Sequence, residues 1–149
     1  MDSEKFNKVL ERYNEQLSFG KEMSLDELAN RLERMPEMLQ NTTNVAFRLM
    51  GEMAELNTQR EEMRGELMMD IKLNPNKQTH PRYQVSCRTK DDFDNQFHSY
   101  PQWNSLARKI DVVATQMKTV QNMREDVTKY GYALKDLIIV KRMQMGFTT

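Results

Sequence analysis

Two histidines, one cysteine and a run of three aspartates are the residues of this chain best suited to chemistry. His80 and His98 lie far apart in polar surroundings, and neither has a second ligand at metal-binding spacing. Cys87 is the only thiol, so no disulfide can form within the chain, and it reads as a small, half-buried strand residue. Asp91, Asp92 and Asp94 could touch a divalent ion, but they lack the glycine turn and distant glutamate of a calcium loop. A solvated cap ahead of a helix is their better reading. The glycines are isolated and build no phosphate cradle. The chain therefore reads as a non-enzyme with no metal and no cofactor.

Cations offer more. Arg60 and Arg64 are one helical turn apart and project from one face, among Glu61, Glu62 and Glu66. Towards the C-terminus, Lys135, Lys141 and Arg142 follow Lys118, Arg124 and Lys129. Such side chains can hold phosphates as point charges or forks. Tyr130 and Tyr132, or Tyr83, Phe93, Phe97, Tyr100 and Trp103, could stack unpaired bases. The plainer alternatives are a solvated helix face for the charges and core packing for the rings.

The elements that must position these residues are helices. Phe6, Val9, Leu10, Tyr13 and Leu17 share a face over residues 3–17, with Ser3 as a cap and Gly20 as the stop. Ser24 followed by Glu27 has capping-box spacing and restarts a helix. Leu28, Leu32, Met35, Leu39, Ala46, Leu49, Met53, Leu56, Met63 and Leu67 then follow steps of three and four, interrupted at Thr42 and Arg60. Pro36 predicts a kink, or one helix ending and another starting with proline in its first turn. The methionines of this stripe make it adaptable. Residues 74–102 are punctuated by Asn74-Pro75 and His80-Pro81, and the alternation of Tyr83, Val85 and Cys87 suggests a short strand over 82–89. From Gln102 the helical period returns. Leu106, Ile110, Val113, Met117, Val120, Met123 or Val127, Tyr130, Leu134, Leu137 and Met145 line one side.

The expected fold is mostly α: long helices packed as an antiparallel, coiled-coil-like bundle, with a short β-strand arm between them. One domain is divided into an N-terminal helix and break (1–23), a long helical segment (24–73), an irregular arm (74–102) and C-terminal helices (103–149). Only 38% of residues are hydrophobic while 30% are charged, which suits helices that bury one stripe and leave a core for copies or partners to complete. The net charge of zero is uneven. Residues 1–73 carry 10 basic and 15 acidic side chains, whereas residues 103–149 carry 8 and 4. A basic C-terminal third allows nucleic-acid binding without demanding it. There is no transmembrane run and no signal-like apolar stretch, so the expectation is a cytosolic protein.

Gly131 interrupts the last helical pattern at a cost of roughly 1 kcal/mol relative to alanine. Either it lets another helix approach or bend there, or it ends a helix as its C-cap. The surrounding stretch, "KYGYALKDLIIVKRMQMG" (residues 129–146), resembles the end of the UvsY-type recombination mediators of tailed phages. The matching positions are Gly131, Tyr132, Ala133, Leu134, Lys135, then Lys141 or Arg142, and Gly146. In outline the resemblance extends over residues 25–146. "DELANRLERMPEMLQNTTNVAFRLMGEMAELNTQREEMRGEL" looks like the family's long first helix, and "TKDDFDNQFHSYPQW" falls where the family has a short acidic connection.

The resemblance implies a non-enzymatic mediator in the cytoplasm of an infected bacterium. Such proteins bind single-stranded DNA, assemble as ring-shaped homo-oligomers (hexamer or heptamer), and help a phage RecA-like recombinase displace the phage single-strand-binding protein. Arg60 and Arg64 fall in the family's DNA-contacting stretch, although Glu61, Glu62 and Glu66 depart from its basic or neutral pattern. Arg124, Lys129, Lys135, Lys141 and Arg142 are the C-terminal DNA-contact candidates. Gly131, Leu134, Leu137, Ile138 and Ile139 would form the face buried by the next subunit. Two other readings fit the same stripes: a coiled-coil virion or assembly protein with no DNA role, and a phage inhibitor that docks on a host protein.

Overall fold

The computed structural model describes residues 1–18, 23–73 and 89–146. Among them are α1 (Ser3–Leu17), α2 (Leu25–Glu33), α3 (Met35–Leu73), α4 (Lys90–Phe97) and α5 (Pro101–Gln144), and no strand. The strand expected over 82–89 lies outside the described residues except for Thr89, which instead caps α4. Gly20, His80 and Cys87 lie outside them as well.

Local chemistry sets most of the helix ends. Asp2, not Ser3, caps α1, its carboxylate accepting from the Glu4 amide at 3.0 Å. Ser24 caps α2 by accepting from the Glu27 amide at 3.2 Å. Pro36 has no N–H to give the Leu32 carbonyl, and its ring crowds that carbonyl, so α2 stops at Glu33. α3 then starts with Pro36 inside its first turn, where the missing donor is harmless. Residues 90–97, expected to be irregular, form α4 because Thr89 and Asp92 make a full capping box. The Thr89 hydroxyl accepts from the Asp92 amide at 3.2 Å, and the Asp92 carboxylate accepts from the Thr89 amide at 3.0 Å. α5 runs unbroken through Gly131 and ends ahead of Gly146, whose φ of 78° is the left-handed conformation that glycine adopts without strain.

The chain forms two compact units. The first comprises Met1–Leu49 with Gln116–Thr149. Its α5 stripe of Val120, Met123, Val127, Tyr130, Leu134 and Ile138 is buried together with Phe6, Tyr13, Leu28, Met35, Met38 and Leu49. Met35 meets Gly131 while Val45 shares a groove with Val120, so α3 and α5 run antiparallel here. Polar ties fix the short helices. The Tyr13 hydroxyl donates to the Met123 carbonyl at 2.7 Å, and burial, then the nearby Asp126 carboxylate, hold that hydroxyl protonated well above the ordinary tyrosine range. Arg31 donates to the Tyr130 hydroxyl at 2.7 Å and to the Ser18 carbonyl.

The second unit is Met50–Thr115. Leu67 and Ile71 of α3 pack with Phe93 and Phe97 of α4 and with Tyr100, and Met63, Met68 and Trp103 close around them. Tyr100 donates its hydroxyl to the Asp70 carboxylate at 2.9 Å, satisfying a polar tip at the edge of an apolar cluster. Phe97, fully buried, lies 4.8 Å from the Trp103 ring centroid at a tilt of 47°. Burial of such a side chain contributes about 1.5–3 kcal/mol.

Two expectations about the seams are corrected. Leu39 is exposed, and Met38 and Thr42 take the inward positions; the Thr42 hydroxyl bonds back to the Leu39 carbonyl at 2.8 Å and so brings no unpaired donor inside. On α5 the inward residues are Gln116, Ile138 and both Met123 and Val127, while Leu137 faces outward and Met145 is exposed beyond the helix end. A strict heptad advances 3.5 residues per turn and a straight helix 3.6, so the inward direction drifts along a helix of 44 residues.

Gly51 and Gly65 sit inside α3 with nothing within 4 Å of where a Cβ would be. Gly51→Ala and Gly65→Ala are therefore each expected to raise stability by up to about 1 kcal/mol. Urea titration of the two variants checks this, and a loss of stability would show that a neighbour not visible within one chain occupies that space.

Candidate nucleic-acid interface

α5 carries five of the seven DNA-contact candidates, and the structure separates them. At 100° per residue, steps of 11 and 7 return to within about 20° of the starting direction. Arg124, Lys135 and Arg142 therefore lie along one line of the helix, about 27 Å long at 1.5 Å per residue. All three are exposed, and none is held in an ion pair among the described residues. The carboxylates of this part of α5, Glu125, Asp126 and Asp136, project in other directions about 80° or more away. Lys129 is exposed but lies off the line, and Lys141 is half-buried towards the packed side.

Tyr132 flanks the line and is 63% exposed. The Lys135 ammonium rests 5.7 Å from its ring centroid. A cation over an exposed aromatic ring is a contact that a nucleotide can enter, with its phosphate on the cation and its base on the ring. Tyr130, the other stacking candidate here, is buried and bonded to Arg31, so it is a packing residue.

Neither a protein-family model nor a curated protein nor a solved structure matches this chain. The site is thus read from its own geometry.

The subunit-contact candidates also divide. Leu134 and Ile138 are buried within their own unit, at 0% and 8% exposure, and have no surface left for a neighbour to cover. Leu137 and Ile139 remain exposed, at 39% and 46%, and Val140 and Met143 join them. Gly131 lies within α5, which overturns the C-cap alternative. A Cβ there would stand 3.5 Å from the Met35 Cε, an ordinary contact, so the glycine admits a methionine tip and no close helix backbone.

Arg60 and Arg64 belong to the second unit. Arg64 is half-buried, pairs with Asp94 of α4 at 3.3 Å, and lies over the Phe97 ring at 5.8 Å. It braces α3 against α4. Arg60 is exposed, and the shallow groove it lines also holds Glu61, Asp94 and His98. A phosphate entering there meets two carboxylates, so this pair is a poor anion site. His98 is exposed, 3.4 Å from Asn104, and among the described residues no three His, Cys, Asp or Glu side chains gather to hold an ion. No helix among the described residues is long and apolar enough to cross a membrane.

Sequence reasoning missed two things. The 11-and-7 spacing of the three cations was present in the sequence and is the signal that singles them out from Lys129 and Lys141. The Arg64–Asp94 pair carried no such signal, because its members lie on different helices 30 residues apart.

Proposed function

We propose that this protein binds single-stranded DNA as a homo-oligomer and acts as a mediator, helping a RecA-like recombinase replace single-strand-binding protein on the strand in an infected bacterium. The observation that carries the reading is the carboxylate-free line of Arg124, Lys135 and Arg142 beside the exposed Tyr132 ring. The resemblance of residues 129–146 to UvsY-type mediators supports it.

The physical basis is multivalency. Three cations and one ring per subunit give weak binding at physiological salt. Copies arranged in a ring would raise the effective concentration of each further contact along the same strand. The exposed Leu137, Ile139, Val140 and Met143 supply the apolar surface for copy-to-copy contact in place of the buried Leu134 and Ile138. A strand held by phosphates and stacked bases is extended and unstacked, the form a recombinase can accept.

The test is anisotropy of a labelled oligothymidylate at two salt concentrations, with duplex as competitor, alongside sedimentation of the protein alone. The expected result is salt-sensitive binding that prefers the single strand and a sedimenting species larger than one chain. An oligomer that ignores DNA at low salt would replace this reading with an assembly protein, which the exposed apolar residues of α5 would equally serve.

A further inference from the structure

α1 offers a second set of cations, on a groove that the DNA reading does not use. Lys5, Lys8 and Arg12 are spaced three and four residues apart, so they share one face of α1. They stand along one side of a groove of about 480 Å³ in the first unit. The floor is apolar, formed by Val9, Met38, Val45, Val120 and Met123. Amides and a hydroxyl of Gln16, Asn41, Asn44 and Thr42 complete the wall, and among the described residues no carboxylate lines it. Glu4, Glu11 and Glu15 point about 20–60° to one side of Lys8 and do not line the groove. One of them, Glu4, reaches Lys8 at 3.3 Å, but both side chains are about 70–80% exposed and such a pair contributes little.

We infer that this groove docks an acidic peptide segment of another protein, one that places one or two large apolar side chains on the floor and its carboxylates against Lys5, Lys8 and Arg12. Charge complementarity selects the sign of the occupant, and the apolar floor requires more than charge. Met38 and Met123 give that floor an adaptable surface suited to side chains of differing shape. Seven residues of α1 separate Lys5 from Arg12, about 10 Å, which matches two turns of a docked helix or three residues of extended chain.

The same features disfavour nucleic acid here. Stacking needs a free aromatic face, and the only ring lining the groove among the described residues is Tyr13, which is 7% exposed with its hydroxyl given to Met123. They also disfavour a second copy bringing its C-terminal apolar stripe. Tyr132, Ile139 and Met143 lie beside Lys135 and Arg142, which would set cation against cation.

The test uses the full-length protein and a fluorescein-labelled dodecapeptide of aspartates and glutamates with a Phe and a Leu three residues apart at its centre. Fluorescence anisotropy is expected to show saturable binding. The combined Lys5→Gln, Lys8→Gln and Arg12→Gln variant should bind at least tenfold more weakly with an unchanged melting temperature, since all three side chains are exposed. Val45→Trp, which fills the floor, should weaken binding to a similar degree, and so should replacing the peptide's Phe and Leu by serine. Absence of binding, or equal binding of the serine peptide or by the triple variant, would overturn the inference. So would a triple variant that loses only oligothymidylate binding, or a Val45→Trp protein whose sole change is its sedimentation. The inference does not rest on DNA binding: substitutions at Arg124, Lys135 and Arg142 should leave the peptide affinity intact.

Discussion

Replacing Arg124, Lys135 and Arg142 together by glutamine is expected to weaken single-stranded DNA binding roughly 50-fold per engaged subunit at 0.15 M salt. Each phosphate contact on a single strand contributes about 0.7 to the slope of log affinity against log salt. Between 1 M and 0.15 M that slope is worth about fourfold per contact, and three contacts multiply to the stated figure. The slope itself should become shallower by about 2. Because the three side chains are exposed and form no ion pair among the described residues, the melting temperature should not move. Lys129→Gln is the internal control, exposed on the same helix but off the line, and should change affinity far less. Anisotropy titrations from 0.05 to about 0.5 M salt would resolve both quantities. An unchanged slope in the triple variant would remove this face of α5 from DNA contact altogether.

Leu134→Ala should cost about 2–5 kcal/mol, because it empties a fully buried position of the first unit that its neighbours can only partly refill. Leu137→Ala, three residues on, should change the stability of a single chain by less than about 0.5 kcal/mol, since its side chain is 39% exposed. The contrast separates folding from assembly. Leu137→Asp should leave the urea midpoint of a dilute sample nearly unchanged while shifting sedimentation towards smaller species. Leu134→Ala should lower the midpoint at every protein concentration. If Leu134→Ala instead altered only sedimentation, its burial within one chain would be the wrong account of its role, and the sequence-based assignment of it to a subunit contact would return.

Most of the fold was legible in the sequence. Ser24 and Pro36 carried their helix boundaries in their own chemistry, a hydroxyl that caps and a missing N–H, whereas the end of α5 at Gly146 showed only in its positive φ. The spacing of apolar residues gave the long helices. Less legible was α4, whose Thr89–Asp92 capping box was hidden by a segment that otherwise reads as loop. The site was half legible. Cations of the right type stood out, but choosing among them needed directions around the helix, and Lys141 turned out to face the packed side.

By itself the sequence determined the elements, because caps, proline and periodic burial act over a few residues. It also determined the excess of cations in the last third and the placement of an aromatic among them. Only the tertiary structure decided what each face of those helices is for. Leu134 and Leu137 are the same residue type in the same helix, and one is core while the other is surface, because a step of three turns the side chain about 60° around the helix and off the packed side. Arg60 and Arg64 form a matching pair in the chain, yet Asp94, 30 residues beyond Arg64, engages one of them. Long-range neighbours assign these roles, and no local pattern encodes which neighbour will arrive.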